Sequence, residues 1–363
     1  MSPRPVVRRA GAAVVASALA ATLIASGGPV QAVSSSSPAG HGATWLAGQL
    51  NRHGLIYNRQ FKFNDYGLTA DTVLALKAIG GHRSDVKQAR RALATHVDDY
   101  TTYQTDTYAG ATAKLLVVAQ QTGGGAWHFG GVNLVRRLVH RVASQPPIAG
   151  RIQDKSTSGD FANTIGQIFA ARGLLAAGHP IAGKALHFLL EQQCRSGYFR
   201  LEFNADKTSP DQGCGKGDPA DTDVTALAVV ELTAVAKGHR ALKGALRDAG
   251  RWLKRHQKAN GSFGGSGPTS ASNTNSTGLA GWAFMTDGRC GAARDAAGWL
   301  AKLQVRGDLS GTPLAGERGA VAYDRAAYKT AKQDGIDDTT RDQWRRATAQ
   351  GAPGLVALSR CGS

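Results

Sequence analysis

Apolar and amphipathic segments alternate along most of this chain. The apolar segments have almost no polar side, and each contains a threonine followed by a small residue. They occupy residues 66–76, 108–118, 161–171, 221–230 and 273–282, with a weaker sixth copy at 346–350. A helix that is apolar on every side has to be covered all round. Glycine follows most of these segments, as is typical of a helix C-terminus, so we expect interior helices here.

The segments between them are amphipathic. In residues 241–257, Leu242, Leu246 and Trp252 belong to an apolar series spaced three or four residues apart, with lysine and arginine between them. The same pattern is present at 44–50, 181–193 and 292–304. A unit that repeats every roughly 40–70 residues indicates a repeat architecture. The alternation, about six times, predicts an all-α fold, an α/α toroid in which amphipathic helices surround a ring of apolar ones.

The first 32 residues have the features of a signal peptide. Arginines precede an apolar stretch at 10–26, and residues 30–32 (Val-Gln-Ala) have the small-x-small form that signal peptidase cleaves. The Arg8-Arg9 pair leaves twin-arginine export open beside the general secretory route. No second apolar stretch is long enough to span a bilayer, so we expect no transmembrane anchor after cleavage.

The rest of the chain is predicted to form one domain. Residues 33–43 contain a serine run, and we expect a flexible lead-in there. Residues 44–363 are then a single toroid repeat domain of a secreted, extracellular protein. The sequence does not indicate the oligomeric state.

Four cysteines in an exported chain favour disulfides. Cys194 and Cys214 lie on either side of one connection between helices, whereas Cys290 and Cys361 each follow an apolar segment. We therefore expect Cys194–Cys214 and Cys290–Cys361 pairs. A metal site is the alternative, but no two cysteines have C-x-x-C spacing, and we expect neither a metal nor a cofactor.

The chain is strongly basic, with 43 lysines and arginines, 26 acidic residues and a formal net charge of +17. Many of the basic residues fall on the amphipathic segments. They are either a solvated convex face or an attachment surface for an anionic cell-envelope polymer. No recognition motif for nucleic acid is present, and we do not expect nucleic acid as a partner.

Two motifs resemble those of a known superfamily. The fourth apolar helix begins Asp221-Thr222-Asp223-Val224-Thr225-Ala226, and the next unit runs from Trp252-Leu253 to Gly261-Ser262-Phe263-Gly264. Together they resemble the prenyltransferase/squalene oxidase repeat of terpenoid cyclases and protein prenyltransferase β-subunits. The chain is most similar to secreted actinobacterial members. The resemblance implies an α/α toroid with a central cavity at one end.

The resemblance makes Asp221 and Asp223 candidate catalytic residues. Class II cyclases protonate an alkene with the middle acid of a D-x-D-D-T-A motif, which corresponds to Asp223, but Val224 takes the place of the last aspartate. Such an acid needs a raised pKa. In the next copy Asn273 and Asn275 hold the equivalent places, and amides cap a helix but do not donate a proton to an alkene. Asp221 and Asp223 are therefore either helix caps or a degenerate cyclase acid site.

Other chemistries of this superfamily have weaker support. A prenyltransferase zinc site would need a histidine at a matching repeat position, which His128 and His187 do not provide. Toroid glycosidases use two carboxylates on opposite sides of the cavity, and aspartates at the helix starts could face one another. Polar and aromatic residues at these starts are the predicted cavity rim: Tyr66, Asp106, Tyr108, Trp127, Asp160, Phe161, Asp218, Asn273 and Asn275.

The sequence as a whole favours a secreted toroid protein. Its expected ligand is a hydrophobic small molecule or a cell-envelope component, bound in a central cavity without turnover. The alternative is an enzyme of the same fold, either a degenerate squalene-type cyclase that uses Asp223 as its acid or a glycosidase.

Overall fold

Six helices form a closed inner ring in the computed structural model, which describes residues 33–362. Each of these helices packs against the next along the chain, and the last packs against the first. They are α2 (Tyr66–Ile79), α5 (Ala109–Thr122), α7 (Thr164–Ala176), α9 (Thr222–Leu232), α11 (Thr274–Thr286) and α14 (Arg341–Leu355). The fold is therefore the predicted α/α toroid, and the weak sixth copy at 346–350 lies in an inner helix.

Amphipathic helices form the outer ring. They are α1 (Pro38–Ala47), α3 (Arg83–Thr95), α6 (Leu134–Val139), α8 (Ala182–Glu191), α10 (Arg240–His256) and α12 (Cys290–Ala301). Each packs its apolar side against the inner ring. Among residues 33–362, no helix has both the length and the apolar character needed to cross a membrane.

Short elements complete the chain at the ends of the rings. Three are helices: α4 (Val97–Thr101), α13 (Arg325–Asp334) and α15 (Ala357–Arg360). Two are single turns of 3₁₀ helix at Thr233–Val235 and Gly267–Thr269. Two hairpins pair β1 (Tyr57–Asn58) with β2 (Phe63–Asn64), and β3 (Thr102–Tyr103) with β4 (Asp106–Thr107), both antiparallel.

The repeated threonine joins four of the inner helices, α2, α9, α11 and α14, to the loops that enter them. Its hydroxyl accepts a hydrogen bond from a backbone N–H of the connection that follows the outer helix. The pairs are Thr69 with Ile56, Thr225 with Phe199, Thr277 with Phe263 and Thr348 with Val321, at 2.9–3.0 Å. In the third unit Gln167 takes this place and accepts from Ile152 N at 2.9 Å. Each bond satisfies a buried backbone donor, which explains why the position recurs.

The outer helices are linked through glutamines. Gln257 Nε2 donates to the carbonyl oxygens of Gly261 (3.2 Å) and Ala292 (2.9 Å), and so connects the end of α10 to α12. Gln304 makes the equivalent bonds to Gly319 and to Pro38, where the outer ring closes. Gly261 has φ +88°, and a Cβ there would lie 2.2 Å from the carbonyl oxygen of Asp295. Only glycine fits this approach of loop to helix.

Both predicted disulfides are confirmed. Cys194 pairs with Cys214 and Cys290 with Cys361, with Cα–Cα distances of 5.1 and 5.2 Å. The first bond joins the end of α8 to the loop before α9. The second joins the start of α12 to the end of α15.

The N-terminal boundary differs from the prediction. Helix α1 begins at Pro38, inside the segment 33–43 that we expected to be a flexible lead-in. Ser37 caps the helix by accepting a hydrogen bond from Gly40 N at 3.0 Å, and Ala39 and Ala43 are buried in the core. The predicted signal peptide, residues 1–32, lies outside the described residues.

Candidate functional site

The inner ring encloses a cavity of about 190 Å³, which we call the central cavity. All six inner helices contribute to its lining, so the site exists only because the ring closes. Its residues are Asp71, Leu74, Lys114, Ile165, Phe169, Asp223, Leu227, Glu231, Leu279, Trp282, Ala349 and Gln350.

One ion pair in the lining of this cavity joins α2 to α5. Lys114 Nζ lies 2.8 Å from Asp71 Oδ1, and it also lies 5.8 Å from the centre of the Phe169 ring. Burial acts to lower the pKa of Lys114, but Asp71, together with Tyr100 and Asp65, outweighs burial and the net effect is to raise it. Lys114 therefore stays protonated, and it is the cationic partner of the Asp71 carboxylate.

A second pair lies where α7 and α9 meet. Arg172 Nε is 3.0 Å from Glu231 Oε2 but does not have hydrogen-bond geometry, while Gln121 Nε2 donates to the same oxygen at 3.3 Å. The Glu231 side chain is only 3% exposed. Burial raises the pKa of Glu231, and the charge of Arg172 offsets part of that effect. Glu231, like Asp71, has a cationic partner.

Asp221 is a helix cap. It is the residue before α9, its Oδ1 accepts from Val224 N at 2.9 Å, and its Oδ2 accepts from Ser266 Oγ at 2.6 Å. Asn273 does the same for α11, where its Oδ1 accepts from Ser276 N at 2.9 Å. The two first members of the repeated D/N-x-D/N motif thus share one structural role.

Asp223 has a different position from Asp221. It lies in the first turn of α9, faces the central cavity, and its Oδ1 is buried with no hydrogen-bond partner among the described residues. The expectation that Asp223 also caps the helix is therefore wrong, because Asp221 already occupies the cap. Burial raises the pKa of Asp223 to about 6; Asp221 adds to the effect, and the nearby Ser276 hydroxyl reduces it.

Further buried side-chain oxygens in this region, the Ser276 hydroxyl among them, also have no partner among the described residues. Asn275, which holds the place of Asp223 in the next repeat, has an unpaired Oδ1, and Gln350 has an unpaired Oε1 that lines the central cavity. Val224, at the position where cyclases have a further aspartate, is buried in the hydrophobic core. The unpaired polar atoms here are thus the acceptor oxygens of Asp223, Asn275 and Gln350 together with the Ser276 hydroxyl, and the second acid of the cyclase motif is missing.

The predicted rim aspartates hold loops in place. Asp106 accepts from Ser156 Oγ at 2.6 Å. Asp160 pairs with Arg151 (3.4 Å) and Lys207 (2.8 Å), and Asp218 pairs with Arg200 at 2.7 Å. None of the three is among the residues that line the central cavity.

The remaining rim candidates also lie away from the central cavity lining. The Tyr66 hydroxyl contacts His96 and Asp99, and Tyr108 is the residue before α5. Trp127 and Phe161 are 54% and 64% exposed. Of all the residues singled out in the sequence, Asp223 alone belongs to the lining.

Sequence reasoning missed Asp71, Lys114, Arg172 and Glu231. A signal for them was present, since each is a charged residue inside an otherwise apolar helix. Charged side chains are almost never buried unless they are paired, so such positions indicate an interior ion pair. Within residues 33–362, no cluster of three or more His, Cys, Asp or Glu side chains is arranged to hold a metal ion.

Solved structures with the same architecture belong to proteins of several kinds. A variant of the type II terpene cyclase MstE from Scytonema, in complex with its product merosterolic acid A, is 17% identical, with a TM-score of 0.60 over 90% of this chain and 97% of that one. A protein from Actinoplanes is 16% identical, with a TM-score of 0.58 over 89% and 98% of the two chains.

The third example is an inactive variant of an α-1,6-mannanase from a Salegentibacter species, in complex with α-1,6-mannotriose. It is 12% identical, with a TM-score of 0.60 over 88% of this chain and 98% of that one. No protein-family model and no curated protein matches this sequence. Similarity at these identities concerns the fold alone, and the chain has the α/α-toroid fold that these proteins share.

Proposed function

We propose that the protein binds a small molecule in the central cavity and does not turn it over. The ligand class is a compact apolar body that carries a hydrogen-bond donor, with a primary ammonium group as the best fit. The observation that carries this proposal is Asp223, a residue of the cavity lining whose Oδ1 is buried and has no hydrogen-bond partner among the described residues.

The need for a donor comes from unsatisfied acceptors. Asp223 Oδ1 and Gln350 Oε1 are both buried and both belong to residues that line the cavity. A buried acceptor without a partner costs about 1–3 kcal/mol. Lys114, the cation in the described cavity lining, is held by Asp71 and does not meet this need. An ammonium or hydroxyl group of a ligand would satisfy these oxygens, and a cation would also stabilise ionised Asp223.

The size of the cavity favours a small ligand. At about 190 Å³ it is below the roughly 300–1,000 Å³ of pockets that hold drug-sized molecules. Much of its wall is apolar, from residues such as Phe169, Leu227, Leu279 and Trp282. Polyprenyl chains with 20 or more carbons are a poor match for this volume.

The arrangement of carboxylates supports binding without turnover. Glycosidases need two carboxylates that are free to act as acid and as base or nucleophile. Here Asp71 and Glu231 are each paired with a cation, which leaves only Asp223.

One observation favours acid catalysis as the second candidate. A pKa of about 6 keeps a fraction of Asp223 protonated near neutral pH, as a general acid requires. The finding against it is Val224, which removes the neighbouring acid. This candidate is tested by incubation with squalene and with geranylgeranyl substrates: cyclised products from the wild type, absent with Asp223→Asn, would establish catalysis and end the binding proposal.

We place this function outside the cell. Two disulfides fit an oxidising compartment, and the predicted signal peptide provides the export route. A hydrophobic small molecule is the proposed ligand of the central cavity, and an anionic cell-envelope polymer is a separate proposed partner of the basic outer surface.

A matched pair of probes tests the binding proposal. Benzylamine and ethylbenzene have nearly the same shape, but only benzylamine carries a donor. We expect calorimetry to show that benzylamine binds at least about tenfold more tightly, since a hydrogen bond to a charged group contributes about 1.5–3 kcal/mol. Asp223→Asn should remove this preference, and Asp338→Asn on the surface should retain it. Equal binding of the two probes, or a preference that survives Asp223→Asn, would contradict the proposal.

A further inference from the structure

A second pocket, of about 720 Å³, lies outside the central cavity. It is formed by the loop after α1, the start of the β1–β2 hairpin and the N-terminal turn of α14. Arginines dominate its lining, and we call it the arginine pocket after Arg52, Arg59, Arg341 and Arg345. Asp338 is the one acidic side chain in the described lining.

Arg345 is a buried cation without an acidic partner. The residue is 7% exposed, and its guanidinium donates to Gln49 Oε1 and to the carbonyl oxygen of Tyr57, both at 3.0 Å. Both acceptors are neutral. Its neighbours in α14 differ, since Arg341 pairs with Glu317 and Arg346 with Asp342, both at 2.8 Å. Among residues 33–362, no carboxylate forms an ion pair with Arg345.

Like charges surround this guanidinium. Burial lowers the pKa of Arg345, and the charges of Arg341 and Arg59 lower it further, while Asp342 and Asp338 act in the opposite direction. Asp342 is already bound by Arg346, and Asp338 is exposed to solvent. A buried charge among like charges is costly to the folded state. A bound anion would offset this cost.

The helix that carries Arg341 and Arg345 adds to the positive potential. Helix α14 has 15 residues, and Thr340, at its N-terminus, makes no capping hydrogen bond through its side chain. The N–H of Arg341, the first residue of the helix, donates to the carbonyl oxygen of Asp337 at 2.9 Å, so the contribution of the helix to anion binding is the positive end of its dipole. Asp337, which precedes this turn, is occupied by hydrogen bonds from Thr339 and Thr340.

We infer that the arginine pocket binds a phosphate group, either as free phosphate or as part of a phosphodiester chain. Guanidinium groups bind phosphate and carboxylate in a bidentate manner. Arginines reach this pocket from three separate segments. A phosphate has more oxygens than a carboxylate and can therefore accept hydrogen bonds from more than one of these segments. This site is independent of the central cavity.

The test compares two double variants with the same change in charge. Arg52→Gln/Arg59→Gln removes the two exposed arginines of the pocket, and Arg91→Gln/Arg294→Gln removes two exposed arginines of the outer helices α3 and α12. Calorimetry at constant ionic strength measures binding of inorganic phosphate, of poly(glycerol phosphate) and of polyglutamate to each protein.

The inference predicts that phosphate-bearing probes bind the wild type and that the pocket variant weakens this binding by at least about tenfold. The outer-helix variant should stay within about twofold of the wild type. Poly(glycerol phosphate) that binds far more tightly than free phosphate identifies a chain as the ligand, whereas equal affinities identify free phosphate. Equal losses in the two variants, equal binding of polyglutamate, or no binding of any phosphate probe would overturn the inference.

Discussion

Replacing Asp223 with asparagine should stabilise the protein at neutral pH. The pKa of Asp223 is raised to about 6 from an ordinary value of 3.8, mainly by burial. Because the folded-state pKa exceeds the unfolded one, the ionised side chain opposes folding. The stability associated with this group is present in full below pH 4 and is lost as the pH rises through 6. Asparagine keeps the shape and removes the charge.

The magnitude follows from the pKa values. Each pKa unit corresponds to about 1.4 kcal/mol, so this difference amounts to about 3 kcal/mol in the free energy of unfolding. The gain of Asp223→Asn over the wild type should grow by most of that amount, about 2 kcal/mol, between pH 4 and pH 7, because only the wild type titrates at this position. Any difference in folding stability between asparagine and protonated aspartate is independent of pH. It shifts the difference between variant and wild type by the same amount at every pH.

Urea unfolding at intervals from pH 4 to pH 8 measures this difference. Asp206→Asn is a control whose pH dependence has the opposite sign. Hydrogen bonds from Thr208 lower the pKa of Asp206, so the contribution of its carboxylate to folding stability is lost as the pH falls. A difference between Asp223→Asn and the wild type that does not change with pH, or that favours the wild type increasingly above pH 6, would refute the reasoning about Asp223.

Three further predictions concern stability and are checked by denaturant unfolding. Gly261→Ala should cost at least about 2 kcal/mol, because of its φ of +88° and the close Asp295 carbonyl, whereas Gly298→Ala, in the open interior of α12, should be neutral or stabilising. Arg172→Met should cost about 3–5 kcal/mol, because Glu231 then remains buried without a counter-charge, and Glu231→Leu in the same chain should recover much of it. Removing the disulfide with a sequence separation of 71 should cost about 1 kcal/mol more than removing the one with a separation of 20.

The ring architecture could be predicted because its cause is local and repeated. Thr225 and Thr277 recur since each accepts the backbone N–H of an entering loop, and the apolar helices recur since each is covered on all sides. The start of α1 could also have been predicted, because Ser37 followed by Pro38 is typical of a helix N-terminus.

The central cavity could not be derived in the same way. Asp221 and Asp223 are two positions apart in one motif, and only the helix geometry decides that the first caps while the second faces the cavity. The Lys114–Asp71 pair joins two different helices. The partner of each charge lies 43 residues away in sequence, so the ion pair is not visible in either segment alone. Such pairs depend on how the helices pack when the ring closes. A local sequence pattern does not predict that packing.

The most direct test of the central claim is a crystal structure of the protein with benzylamine. We expect the amine nitrogen to lie within hydrogen-bond distance of Asp223 Oδ1 and the ring to pack among the apolar residues of the central cavity, near Phe169 and Trp282. A central cavity that holds only water at saturating benzylamine, or benzylamine bound at another place on the protein, would contradict it.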